Sequence, residues 1–319
     1  MKINDEFLED FELDMNDRGE PHWFINRRIK ALKSMNELEF EDSQCFKNKD
    51  NFISMDSPLR SKSKKDLVDS KTIDNCTIAQ LGQTIVKNDL SDELETKGVI
   101  LTDILTALRV HPRLVQKTLM DKVISPNEDK MSAYHLSFMN SGVFLYIPKE
   151  VKVMEPINID LIQDNTKSEN LNTHVLIVAE NDSEVTIHQQ LSDVGERDNR
   201  TGLFVEVLSR ANSKVTYNLN SKSSSKYVYL KSKAYVGRDA LVNWNVNLLN
   251  EGNTWANLSN NLFGSGSMTN LTLNSHTAND QLEKISANSI KHGKNSSSNF
   301  KHQLNSEDDS TIILNGLKY

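Results

Sequence analysis

The amino-acid sequence predicts a mainly β protein, in which a parallel coil of strands, a β-solenoid, occupies residues 126–319 behind a helical N-terminal region over residues 1–125. Three observations carry this. After Ser125-Pro126 the apolar pattern changes from helical spacing to two-residue alternation, the alternating segments recur at 27 to 30 residues, and no Asn-Gly or Asp-Gly hairpin turn separates them.

The chain opens with an acidic stretch, Asp5, Glu6, Glu9, Asp10, Glu12, Asp14, Asp17 and Glu20, in a protein whose net charge is -7 from 37 Lys+Arg against 44 Asp+Glu. Nucleic acid is therefore excluded as a main partner, because phosphate binding needs a basic patch. From Glu20 to Met35 a helix is expected: Pro21 sits near its first turn, Ile25, Ile29 and Leu32 share one face, and Arg27, Arg28, Lys30 and Lys33 cover the rest. Residues 36–71 turn to Ser, Lys, Asp and Asn around Pro58 and read as a loose polar linker. The lysines at Lys62, Lys64 and Lys65 lie among serines without aromatics and belong to that linker.

A second helical block is expected from Ser91 to Val123, with Ile100, Ile104, Leu105 and Leu108 on one stripe and Leu114, Val115, Thr118 and Leu119 on another. His111-Pro112 should break it in two. Both stripes are read as packing faces and not as cofactor sites.

Beyond Pro126 the alternation is clearest in Val242-Asn243-Trp244-Asn245-Val246-Asn247-Leu248, where apolar and Asn side chains fall on opposite faces of a strand. Four stretches align about a small turn residue at Ser183, Ser213, Ala240 and Ser267, in steps of 30, 27 and 27 residues. A second apolar run precedes each turn: Val175 to Val178, Leu203 to Leu208, Tyr227 to Leu230, and Ala256 to Phe263. A unit this small cannot enclose a core, but stacked copies bury one continuous apolar column. A β-sandwich is the competing all-β fold, and its hairpins would not impose near-constant spacing. The outward Asn243, Asn245 and Asn247 are expected to form side-chain ladders between rungs.

At 319 residues the chain holds two domains or one extended domain with an appendage, and 37% hydrophobic residues with a mean hydropathy of -0.53 describe a polar but folded protein. Cys45 and Cys76 have neither Cys-x-x-Cys nor Cys/His zinc spacing, so no disulfide framework or zinc site is expected. No export signal or membrane-length apolar window is present in the sequence, and a cytoplasmic protein with reduced thiols is expected. Gly-x-Ser-x-Gly and phosphate-binding glycine loops are absent, so neither serine catalysis nor nucleotide binding is expected of this chain. Cys45 follows Glu41-Asp42, where acidity disfavours a thiolate, and is read as an ordinary thiol. His174, His188, His276, His292 and His302 are scattered over strands and are read as exposed structural residues, not metal ligands.

Three stretches resemble the SufB/SufD family of iron-sulfur cluster assembly proteins. They are Glu20-Pro21-His22-Trp23-Phe24-Ile25-Asn26-Arg27-Arg28-Ile29-Lys30-Ala31-Leu32, then Ser141-Gly142-Val143-Phe144-Leu145-Tyr146-Ile147-Pro148-Lys149-Glu150-Val151 with Pro156-Ile157, and His292-Gly293-Lys294-Asn295-Ser296 followed by Asn315-Gly316. The likeness is stronger to the SufD side of the family. It implies a right-handed parallel β-helix acting as a non-catalytic scaffold with a SufB-like subunit and a SufC-like ABC ATPase as partners. It also implies that an iron-sulfur cluster is handled transiently by the complex and is not bound stably by this chain alone. Family members continue into further β-helix and a C-terminal helical region that docks the ATPase; the sequence stops at Leu317-Lys318-Tyr319. No catalytic, cofactor-binding or metal residue is carried over, ATPase docking is left open, and so is self-association as a homodimer. The rivals are a secreted-type β-helix enzyme acting on polysaccharide and a truncated, inactive SufD paralogue.

Overall fold

Residues 3–41, 46–54, 63–68 and 73–318 are described by a computed structural model. Helix α1 (Asp5–Asp17) is capped by Asn4, whose Oδ1 accepts from Phe7 N at 3.0 Å, and α2 (His22–Ser34) follows Pro21 as expected. After them come β1 (Ile78–Leu81), β2 (Thr84–Asn88), α3 (Asp92–Thr96), β3 (Ile100–Asp103), α4 (Ile104–Val110), α5 (Pro112–Val115), α6 (Lys130–Phe138) and β4 (Ser141–Ile147). Twelve further strands complete the chain: β5 (Ile157–Asn165), β6 (Leu171–Ala179), β7 (Glu184–Gly195), β8 (Arg200–Ser209), β9 (Lys214–Ser221), β10 (Tyr227–Val236), β11 (Leu241–Leu248), β12 (Asn253–Leu262), β13 (Met268–Thr277), β14 (Leu282–Lys291), β15 (Ser297–Ser306) and β16 (Thr311–Lys318).

These strands form two eight-stranded sheets, one in the order β15-β13-β11-β9-β7-β5-β1-β2 and the other β16-β14-β12-β10-β8-β6-β4-β3. Successive odd strands from β5 onward pair in parallel, β1 joins β5 in the same sense, and successive even strands from β4 onward do likewise, so the chain climbs as a β-solenoid of about six turns. The only antiparallel pairings among the described residues are β1 with β2 and β3 with β4. The repeat read from the sequence is the physical register: Glu184 pairs with Lys214, Lys214 with Leu241, and Leu241 with Met268.

The two corners of the early coils differ. At one, Asp182, Asn212, Asp239 and Gly266 adopt left-handed φ of 61°, 58°, 54° and 70°, and the small residue that follows each is buried. The turns pile closely there: a Cβ on Gly264 would lie 1.9 Å from Arg238 N, so only glycine fits. The opposite corner tightens in the same way late in the stack, where Asn279 and Asp308 adopt left-handed φ of 57° and 56°, and is looser in the early coils. There the link from β7 to β8 passes through the exposed Glu196-Arg197-Asp198, and it takes up the longer step of 30 residues.

Inside the column lie Val175, Ile177, Val205, Val207, Val215, Leu219, Val242, Val246 and Leu273, all fully buried. Glu283 of β14 also points inward; Ser275 Oγ donates to it, and burial pushes its carboxyl up to about 7. The outer face of the odd-strand sheet is covered at β1 and β5, where Val68 and Ile73 pack with Leu81 and Ile162, and is wet over the later strands, where the expected Asn ladders are present. Asn245 Nδ2 donates to Asn218 Oδ1 at 2.7 Å, Asn270 to Asn243 at 2.8 Å, Asn299 to Asn270 at 2.9 Å, and Asn274 to Asn247 at 2.9 Å.

The outer face of the even-strand sheet is instead covered by the helical layer. Phe144, Leu176, Val178, Phe204, Tyr229 and Trp255 of that face form a second core with Phe11, Phe24, Leu32, Leu108 and Phe138. Strands buried on both faces lose their alternation, which is why β6 is buried at every position.

Three expectations are corrected. The block Ser91–Val123 is not wholly helical: Gly98, at a φ of 81°, ends α3, and Ile100–Asp103 pairs antiparallel with β4. The break at His111-Pro112 falls where expected, between α4 and α5. Alternation does not start at once after Pro126, because α6 intervenes; its residues from Met131 to Phe138 are all buried, so it has no polar face to mark its period. The stretch 36–71, where described, is no loose linker. Phe46 and Phe52 pack on Trp255 with ring centroids 5.8 and 5.7 Å away. Cys45 and Lys62 lie outside the described residues, and Lys64 is exposed.

Candidate functional site

Where the helical layer meets the even-strand sheet, three polar centres are enclosed. Arg28, expected on the exposed side of its helix, is fully buried, and its Nε lies 2.8 Å from Glu20 Oε2. Its Nη1 donates to Ser137 O at 2.7 Å and its Nη2 to Met139 O at 2.7 Å, so this guanidinium caps the C-terminal end of α6. Neighbouring Arg27 donates to Leu119 O and Met120 O at 3.0 and 2.8 Å. One turn of α2 therefore fastens two segments more than ninety residues away.

The second centre is a relay of buried side chains. His135 of α6 and His174 of β6 meet at 3.1 Å, His174 Nε2 lies 3.1 Å from Glu206 Oε2, and Glu206 accepts from Met120 N at 2.6 Å and Ile124 N at 2.8 Å. Burial, with the charges of His174, Arg28 and Lys231 acting the same way, holds His135 well below the ordinary histidine range, so it is neutral. His174 thus departs from the expected exposure, because the face of β6 that carries it is covered by α6. His188, His276, His292 and His302 are exposed, as expected.

The third centre is Lys231 on β10. Its Nζ lies 2.5 Å from Asp129 Oδ2, 2.5 Å from Glu128 Oε1 and 3.4 Å from Glu41 Oε2, and it donates to Ser132 Oγ at 3.0 Å. Asp129 is also the N-cap of α6, accepting from Ser132 N at 2.8 Å. Burial works to lower the Lys231 pKa, but Tyr229, Asp129, Glu128 and Glu41 together hold it well above the ordinary lysine range. Its ammonium is therefore a fixed cation, not a nucleophile. Beside it opens a cleft of about 320 Å³, lined by Glu39, Glu41, Glu128, Lys233, Ser259 and Asn288, in which Lys233 Nζ lies 2.8 Å from Glu128 Oε2. Asn257 crosses it, donating to Glu41 Oε2 at 3.2 Å and to Tyr229 OH at 3.0 Å.

Chemically, Arg28 is matched by Glu20, His174 by Glu206 and Lys231 by its carboxylates, while His135 Nδ1 has no hydrogen-bond partner among the described residues. Among the described residues no group of three or more His, Cys, Asp or Glu side chains is arranged to hold a metal ion. Burial, with Asp160 adding to it, pushes the Cys76 thiol up to about 12, far from a thiolate at neutral pH. The arrangement is a set of clasps that lock a helical layer to a solenoid; among the described residues the odd-strand face from β9 onward and the later coils are left uncovered, while Val68 and Ile73 cover Leu81 and Ile162 at its start. Sequence reasoning missed Arg28 and Lys231 because basic residues in an amphipathic pattern read as solvated. The available signal for Lys231 was its aromatic company, since Tyr229 and Tyr235 flank it on the same face of β10.

Comparison with known proteins adds two family matches: residues 21–159 match the SufBD protein N-terminal region, and residues 161–319 match the SUF system FeS cluster assembly, SufBD core domain. The iron-sulfur cluster assembly protein SufD of Bacillus subtilis is 32% identical over 332 residues, covering 99% of this chain and 75% of that protein. A SufBD family protein of Pyrococcus horikoshii is 28% identical over 186 residues, covering 52% of this chain and 41% of that protein. One from Staphylococcus saprophyticus is 22% identical over 328 residues, covering 95% and 69%. No helix among the described residues is long and apolar enough to cross a membrane.

Proposed function

The chain belongs to the SufBD family of iron-sulfur cluster assembly proteins, and we propose that it serves there as a non-catalytic scaffold, pairing with a SufB-like subunit and a SufC-like ATPase. The observation that carries this reading is the clasped architecture itself. Arg28, Glu206 and Lys231 are spent on buried partners, and Lys231 and Cys76 are each held in the unreactive protonation state. A rigid column with long uncovered faces supports docking better than catalysis. In this reading the iron-sulfur cluster is cargo: it passes through the complex and is not held stably by this chain alone. ATP is hydrolysed by the partner, and the assembly works in the cytoplasm. Family membership also favours this reading over a polysaccharide-acting β-helix enzyme.

Co-expression with a SufB-like and a SufC-like protein from one source tests the proposal. A tagged chain is expected to retain both through gel filtration, and the purified complex, not the lone chain, is expected to acquire iron-sulfur absorbance on reconstitution. A chain that elutes alone beside both partners overturns it.

A further inference from the structure

Beyond the cleft, toward the tight corner, the outer face of the even-strand sheet emerges from under the helical layer. Here Tyr235 stacks on Phe263 with ring centroids 4.7 Å apart, and Phe263 stacks on His292 at 4.4 Å, so the three rings form a ladder up successive coils. Phe263 remains 43% exposed and Ile290, in the row of Tyr235, 55%. An apolar strip is thus left open to water. Its border is basic: Lys291 and Lys294 are exposed and make no ion pair among the described residues, and Arg238, 68% exposed, meets only the exposed Asp239 at 3.8 Å.

A complementary surface lies on the same molecule. The outward side of α1 carries Glu6, Asp10, Leu13 and Asp17 at spacings of four, three and four, which is one stripe of a helix. Leu13 is 63% exposed, while Phe11 and Met15 on the opposite side anchor α1 in the second core. The stripe is therefore an apolar knob set between carboxylates, and the corner is an aromatic strip set between ammonium and guanidinium groups. Within one molecule the two do not cover each other, since Leu13 and Phe263 are both exposed.

We propose that these surfaces meet between copies of this chain, with α1 of one molecule lying on the Tyr235–Phe263–His292 ladder of the next. Leu13 then covers Phe263 and Ile290, and Asp10 and Asp17 face Lys291, Lys294 and Arg238. Because the two patches differ, the contact is heterologous, joining copies head to tail. Small apolar area and rim charges make it weak and salt-sensitive. The inference is independent of the assembly reading, which concerns other partners.

Sedimentation velocity of the full chain over a concentration series, at low and at high salt, tests it. Self-association is expected that weakens with salt. The double variants K291E/K294E and D10K/D17K are each expected to weaken it by about tenfold or more, and Phe263→Ser to weaken it while leaving the charges intact. The decisive protein carries all four charge reversals, in which the swapped surfaces again complement each other: association is expected to return. A chain that stays monomeric at every concentration and salt overturns the proposal, as it would if the patches served an unrelated acidic or basic protein. So does association untouched by the double variants, or loss without recovery in the fourfold variant when circular dichroism matches that of the wild type.

Discussion

Arg28→Ala leaves Glu20 buried without its cation and strips the Leu136, Ser137 and Met139 carbonyls of their donor, so the unfolding free energy measured in urea is expected to fall by about 3 to 5 kcal/mol. Arg28→Lys is expected to recover little of this, because one ammonium cannot serve the forked set of acceptors. Glu283 acts through pH. Its carboxyl titrates at about 7 in the folded protein against an ordinary 4.5, so the folded state holds the proton more tightly between those values. The associated stability is complete below about pH 4.5 and is lost as pH rises through about 7. Relative to the wild type, Glu283→Gln is expected to gain about 3 kcal/mol between pH 4.5 and 8, read as the difference between two urea-stability profiles. At this scale the sequence was least legible. Arg28, His174 and Glu283 are polar letters in polar surroundings; what buries the first two is a segment far away along the chain, and Glu283 is buried inside the column by its own and neighbouring coils.

Elements were legible where one face is wet. From β7 to β13 the strands of the odd-strand sheet alternate because solvent lies on one side and the column on the other, and β11 shows it with Asn243, Asn245 and Asn247 outward against Val242, Trp244 and Val246 inward. Helix α6 lacked that contrast, being sandwiched between α2 and the sheet, and β3 was lost inside a helical stripe because Ile100 to Ile104 fit either period. The aromatic segment around Phe46 and Phe52 has no period at all, since it makes contact through single rings. Lys231 joins that segment's neighbour Glu41 and the cap of α6 to β10. Lys231→Met is therefore expected to loosen this edge of the helical layer before the solenoid itself, seen as faster limited proteolysis between residues 36 and 54 with little change in far-ultraviolet circular dichroism.

For the whole molecule the architecture was readable because a solenoid writes its register into spacing, and the offsets between Ser183, Ser213, Ala240 and Ser267 became the strand pairing itself. The second layer was not readable, since a covering that crosses many coils leaves no periodic trace. It makes stability uneven along the stack. Coils under the helices are held on both faces, whereas in β15 and β16 Phe300, Leu304, Ile312 and Leu314 are only partly buried. Hydrogen exchange is expected to release amides of β15 and β16 first and those of β6 and β8 last, with protection declining coil by coil between them.

The unequal corners bear on how such a protein tolerates changes of length. Packed turns with a glycine column behave as a ruler, where one added residue throws every later coil out of step. The looser corner behaves as slack in a rope. A reporter peptide spliced between the exposed Arg197 and Asp198 would ride outside the winding.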